Sequence, residues 1–139
     1  MTDTTARPAR TTPTTGRAAN VALWTLQVLL AAVYLFSAFG KLTADAQNVA
    51  GFEAMGFGTA GMYVIGALEL AGAIGLLVPR LMGLAATCFV ALMVGAVIAT
   101  LAVGGGALVV IPATVLVLVA IVAWGRRENT AALIASLRG

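Results

Sequence analysis

The chain has no histidine and a single cysteine, Cys88. A lone cysteine excludes an internal disulfide and any Cys-x-x-Cys dithiol. Without histidine, a Cys/His zinc site and a histidine-ligated haem are also out of reach of this chain alone. Charge is scarce as well. Lys, Arg, Asp and Glu make up 9% of 139 residues, where an ordinary soluble domain carries about 25%. Hydrophobic residues reach 61%. A soluble fold of this length could not hide that much apolar surface, whereas a bilayer requires no hiding. The net charge of +3 is small, and the basic residues sit at the ends of apolar runs. That placement orients a membrane protein and does not bind nucleic acid.

What the chain does have is four long apolar stretches. The most informative is Met62 to Val78, seventeen residues broken only by Glu69. At 1.5 Å per residue it is just long enough to cross a bilayer core. A carboxylate inside such a run costs about 2.5–3.5 kcal/mol on insertion scales, so it is rarely accidental. On a helix Glu69 shares its face with Ile65, Gly66, Gly72, Ala73 and Leu76. Small residues such as Gly66, Gly72 and Ala73 let a neighbouring helix come close. Leu68, Leu70, Ile74 and Leu77 on the other side suit lipid.

The remaining pattern predicts an all-α integral membrane four-helix bundle, with spans at about 21–41, 62–78, 81–103 and 107–124. Residues 1–20, rich in Thr, Ala, Arg and Pro, are expected to be a disordered cytoplasmic tail. The run Val21 to Phe39 is too long for a signal-peptide core and has no clear cleavage site after it. Between the first two spans, Val49, Phe52 and Met55 predict a short interfacial helix, capped by Thr43 or Asp45 and broken by Gly56, Gly58 and Gly61. It reads as a connector more than as a lid. A two-residue turn, Pro79–Arg80, joins spans two and three. Gly104 to Gly106 form the next turn, and Pro112 falls in the first turns of span four, where proline is tolerated. Trp124 belongs to the interfacial belt, and Arg126 and Arg127 stop the span. Residues 126–139 are expected to form a cytoplasmic amphipathic tail, its helix capped by Asn129, with Leu133, Ile134 and Leu137 on the membrane surface.

Four polar residues, Asn20, Gln27, Tyr34 and Lys41, recur every seven positions in the first span, with Ser37 beside them. Seven residues are nearly two turns, so they form one slowly drifting stripe that predicts a bundle-facing side. Lys41 ends that span, and Glu69 lies about 10–12 Å below the same surface. Helical side chains lean toward their own N-terminus, so the two charges lean toward each other. Two roles stay open for the pair: a salt bridge that fixes helix register, or a ligand or proton site. Tyr34 could add a hydroxyl. Thr87 and Thr100 are expected to bond their own backbone. Cys88, with no cation near it in sequence, reads as an inert residue buried in lipid or in the bundle.

The segments YLFSAFGKL (34–42), GFEAMGFG (51–58), IGALELAGAIGLLVPRLMGLAA (65–86) and LMVGAVIATL (92–101) together resemble the DoxX family of small four-helix membrane proteins. The resemblance covers about residues 31–124. It is carried by Gly40–Lys41 at the end of helix one and by Glu69 followed by Gly72 and Ala73 in helix two. It implies a bundle in a bacterial plasma membrane. It further implies a membrane subunit or anchor for a redox enzyme, with quinone as a cofactor to consider and a soluble or membrane oxidoreductase, or a second copy, as partner. The candidate site is then Lys41, Glu69, Tyr34, Gln27, Ser37 and Thr100. Many members carry histidine near the end of helix three, where this chain has Thr100. That departure weakens any transfer of metal or redox chemistry, and no metal ligand set is evident. A scaffold without chemistry and a proton-relay or transport component are the competing readings.

Seven of the eight Lys and Arg residues fall on one side of a four-span topology, with only Lys41 on the other. The positive-inside rule then places both termini in the cytoplasm. Reporter fusions after Gly58 and Gly105 should read as periplasmic and one after Gly139 as cytoplasmic. A cytoplasmic signal at Gly58 would sink this topology.

Overall fold

The computed structural model describes residues 16–139, and the expected tail over residues 1–15 lies outside that range. Six helices follow one another: α1 (Arg17–Leu42), α2 (Ala46–Ala54), α3 (Gly58–Leu77), α4 (Met82–Ala102), α5 (Val110–Gly125) and α6 (Arg127–Arg138). A 3-10 turn, Gly106–Val109, leads directly into α5. The helices α1, α3, α4 and α5, the last taken with its 3-10 turn, are long and apolar enough to cross a membrane. The fold is an all-α four-helix membrane bundle with two short accessory helices.

The spans differ from the sequence expectation at their ends. Residues 17–20 are helical, so α1 starts one turn before the apolar run does. The second span starts at Gly58, not at 62. Gly56 and Gly58 take positive φ of 78° and 63° and make the turn out of α2. Gly61 does not break the helix, because it falls in the first turn and its bare backbone makes room for the Phe57 side chain. The link between α3 and α4 is Val78–Leu81, four residues instead of two. At α2 the cap position is Asp45, but its carboxylate makes no bond to the helix backbone. Asn129 does not cap α6, since the helix is already under way at Arg127.

Packing follows the small residues. The helices associate mainly as two pairs, α1 with α3 and α4 with α5, joined more sparsely along α3 and α4. Gly66 lets Lys41 and Leu42 of α1 lie directly on α3: a Cβ there would stand 3.0 Å from the Lys41 Cβ. Gly72 leaves the space that the Phe89 ring of α4 fills, and Gly75 accommodates Ala85. Ala73, Leu76, Ala86, Phe89, Val119 and Val122 form the centre of the core. On the outside, Val28, Val33, Phe36, Leu68, Ile74 and Ile98 are exposed, a belt suited to lipid tails. Cys88 is exposed on this side too, in a groove between α3 and α4, and takes no part in core packing.

Gly72→Ala should lower the unfolding midpoint in detergent by the equivalent of about 1–3 kcal/mol, because the new methyl overpacks against Phe89. Adding Phe89→Leu should recover part of the loss. Equal midpoints for wild type and Gly72→Ala would show that the contact with Phe89 is slack.

Candidate functional site

The polar stripe of α1 faces the bundle over its whole length and divides into two groups. At one end, Lys41 sits in the last turn of α1, where a cation also meets the negative end of the helix dipole. Its side chain runs back along α1, and Nζ donates to Ser37 Oγ at 2.6 Å. It also donates to both oxygens of Glu69, at 3.2 Å to Oε1 and 2.9 Å to Oε2. Both side chains are buried, and this is the salt bridge among the described residues. The geometry follows from sequence spacing. Gly66, one turn before Glu69, lets α1 cross closely enough for lysine to reach the carboxylate. Two charges that would each be costly in hydrocarbon become one neutral, hydrogen-bonded unit.

This pair forms part of the wall of a cavity of about 600 Å³. Ile65 of α3, Leu92 and Ala96 of α4 and Pro112 of α5 line its apolar sides. Phe52, Met55 and Phe57, from α2 and the turn after it, also line it. Thr100 contributes the remaining polar side chain, and its hydroxyl is already spent on the Ala96 carbonyl at 2.8 Å. Thr87 likewise bonds the Gly83 carbonyl. The cavity therefore has mainly apolar walls and three polar side chains, with a volume in the range of small-molecule sites.

Tyr34 lies inside the bundle but makes no hydrogen bond to the pair. Its ring stacks on Phe89 with centroids 3.7 Å apart, and its hydroxyl is buried without a partner. Gln27 belongs to the other group, at the opposite end of α1. It is fully buried and donates to the Leu76 carbonyl at 2.8 Å. That carbonyl is one of the last in α3 and lacks an intrahelical partner, so Gln27 caps α3 from a neighbouring helix. The oxygen of Gln27 accepts from Arg126 Nε at 2.8 Å, and Arg126 Nη1 donates to Asn20 Oδ1 at 2.7 Å. Gln27 is therefore a structural neighbour of Arg126, remote from Lys41 and Glu69.

Arg126 does stop the span, as the C-cap of α5, but sequence reasoning missed that its side chain turns inward. Only 6% of it is exposed, and its guanidinium carbon lies 5.5 Å from the centre of the Trp24 ring. Burial lowers its pKa from the usual guanidinium value. Arg127, expected to act with it, does sit at the surface against Trp124. Phe52 and Met55 were legible as one face of a short helix, but nothing in their spacing tells a membrane surface from a cavity.

Together, four apolar helices long enough to cross a membrane and a buried Lys–Glu pair beside a cavity define a small polytopic membrane protein. The model of the DoxX-like family matches residues 25–122, and the chain belongs to that family. No curated protein and no solved structure matches the chain. Among the described residues no group of His, Cys, Asp or Glu is placed to hold a metal ion.

Lys41→Met or Glu69→Gln alone should cost about 3–5 kcal/mol if the remaining partner stays buried. The lysine change should be the milder, since Lys41 lies at the end of its helix. The double variant should be more stable than the sum of the two losses predicts. Strict additivity in detergent melting curves would mean that the residues do not interact.

Proposed function

We propose that this DoxX-like protein is a small membrane subunit or anchor of a redox complex in a bacterial plasma membrane, and that its cavity takes a lipophilic ligand of the quinone class. The observation that carries the reading is the cavity of about 600 Å³ with the Lys41–Glu69 pair in its wall. With both termini in the cytoplasm, as the basic residues favour, the cavity lies in the outer half of the bilayer. A quinone needs an apolar slot and a few polar groups. Lys41, Glu69 and Thr100 supply the polar part, and Ser37 and Tyr34 stand behind them. The chain then contributes binding and positioning, while electron transfer belongs to a partner oxidoreductase.

A scaffold without a ligand is the second reading. It is favoured by the way Lys41, Ser37 and Glu69 satisfy one another, as a purely structural bridge would. One experiment separates the two. The protein is purified in native membrane discs, its lipid extract is assayed for quinone, and copurifying proteins are identified by mass spectrometry. The functional reading expects quinone in near-stoichiometric amount together with an oxidoreductase subunit. It also expects Ala96→Trp, which fills the cavity, to lose the quinone while keeping the fold. Quinone no higher than in empty discs would defeat it.

A further inference from the structure

The cavity wall has a polarity of its own. Three polar side chains line it: Lys41, Glu69 and Thr100. An ammonium group has three N–H donors. Those of Lys41 face Ser37 Oγ and the two Glu69 oxygens. The Thr100 hydroxyl proton goes to the Ala96 carbonyl, and Pro112 has no N–H. The backbone N–H groups of Met55, Phe57 and Gly61 are bonded to Gly51, Phe52 and Phe57 carbonyls. Each polar side chain on the wall has therefore committed its donors.

Acceptors are a different matter. An ionised carboxylate offers about four lone-pair sites. In Glu69, Lys41 is the one hydrogen-bond partner among the described residues, reaching each oxygen once. About half of the acceptor capacity is unused on a wall where Glu69 is the ionised acceptor. Thr100 Oγ1 adds a weaker acceptor.

The geometry points to a ligand whose head group donates a hydrogen bond to Glu69: a lipophilic phenol or hydroquinone, not a quinone or an ether. This inference rests on the reading of the cavity as a quinone-class site and specifies which member of the couple is held. A quinone has carbonyl acceptors alone and would set them against the Glu69 carboxylate. A hydroquinone places an O–H where an acceptor waits, and hydrogen bonds to charged groups are the stronger ones. The site thus stores the reduced partner and releases the oxidised one, with no electron passing through this chain.

The test uses three molecules with the same decyl tail: a benzohydroquinone kept reduced under anaerobic conditions, the matching benzoquinone, and the dimethyl ether of the hydroquinone. Binding to the full-length protein in lipid nanodiscs is measured by calorimetry. The hydroquinone should bind about tenfold tighter than the other two, or more. In the double variant Lys41→Met/Glu69→Gln, which keeps the wall neutral and gives it an amide donor, the preference should fall to about threefold or less. Equal affinity for all three overturns the donor rule while leaving the cavity a ligand site. Tighter binding of the quinone also overturns it. Binding of none of them overturns both the rule and the reading beneath it.

Discussion

A charge that enters hydrocarbon must find its counterpart inside the protein, and in this chain that constraint sets the position of α1 on α3. Lys41 cannot be left to lipid, and Glu69 cannot reach water from the middle of its helix. Their meeting requires the helices to cross at Gly66, where no side chain keeps them apart. Once α1 and α3 are fixed, the remaining faces of α3 are assigned as well. Gly72 and Gly75 turn to α4, and Leu68, Leu70 and Ile74 turn outward. The pair alone is no proof of net stability, since two well-packed apolar residues can do as well. It gives register, and it leaves a polar spot in an otherwise greasy wall.

The other end obeys the same constraint by a different route. Arg126 is buried, and among the described residues its side-chain hydrogen-bond partners are Gln27 and Asn20, with no carboxylate. Two neutral amide oxygens and an indole ring take the place of a counterion. Burial out of water disfavours the charged form and lowers the pKa of this guanidinium. The arrangement also answers the α3 C-terminus, because the same glutamine that accepts from Arg126 donates to the Leu76 carbonyl.

The class, the number of spans and the bundle-facing stripe were legible because they depend on hydrophobicity and period, which are local. The Lys41–Glu69 encounter was legible because side chains lean in a known direction along a helix. Helix ends were less so: Gly58 and Gly61 can stop a helix or begin one, and the choice depends on φ and on neighbours such as Phe57. The role of Arg126 was hidden for a deeper reason. It arises from residues about one hundred positions apart, and an arginine after a span has the same sequence whether it faces water or turns inward. Tyr34 faces the bundle as its place in the stripe predicts, and its buried hydroxyl has no hydrogen-bond partner among the described residues.

The distribution of polar bonds gives the bundle a mechanical character. Among the described residues, the side-chain hydrogen bonds between the α1–α3 unit and the chain that follows, through Gln27, Asn20, Met82 and Arg126, lie at the Arg126 end. At the Lys41 end the polar bonds stay within the α1–α3 unit. The two ends of the bundle are therefore held by different forces: a polar knot ties the helices together at the Arg126 end. Where α3 meets α4, contact is by shape, with the Phe89 ring seated over Gly72 and Ala85 against Gly75. Dispersion contacts of that kind depend on close fit and lack the directionality of hydrogen bonds.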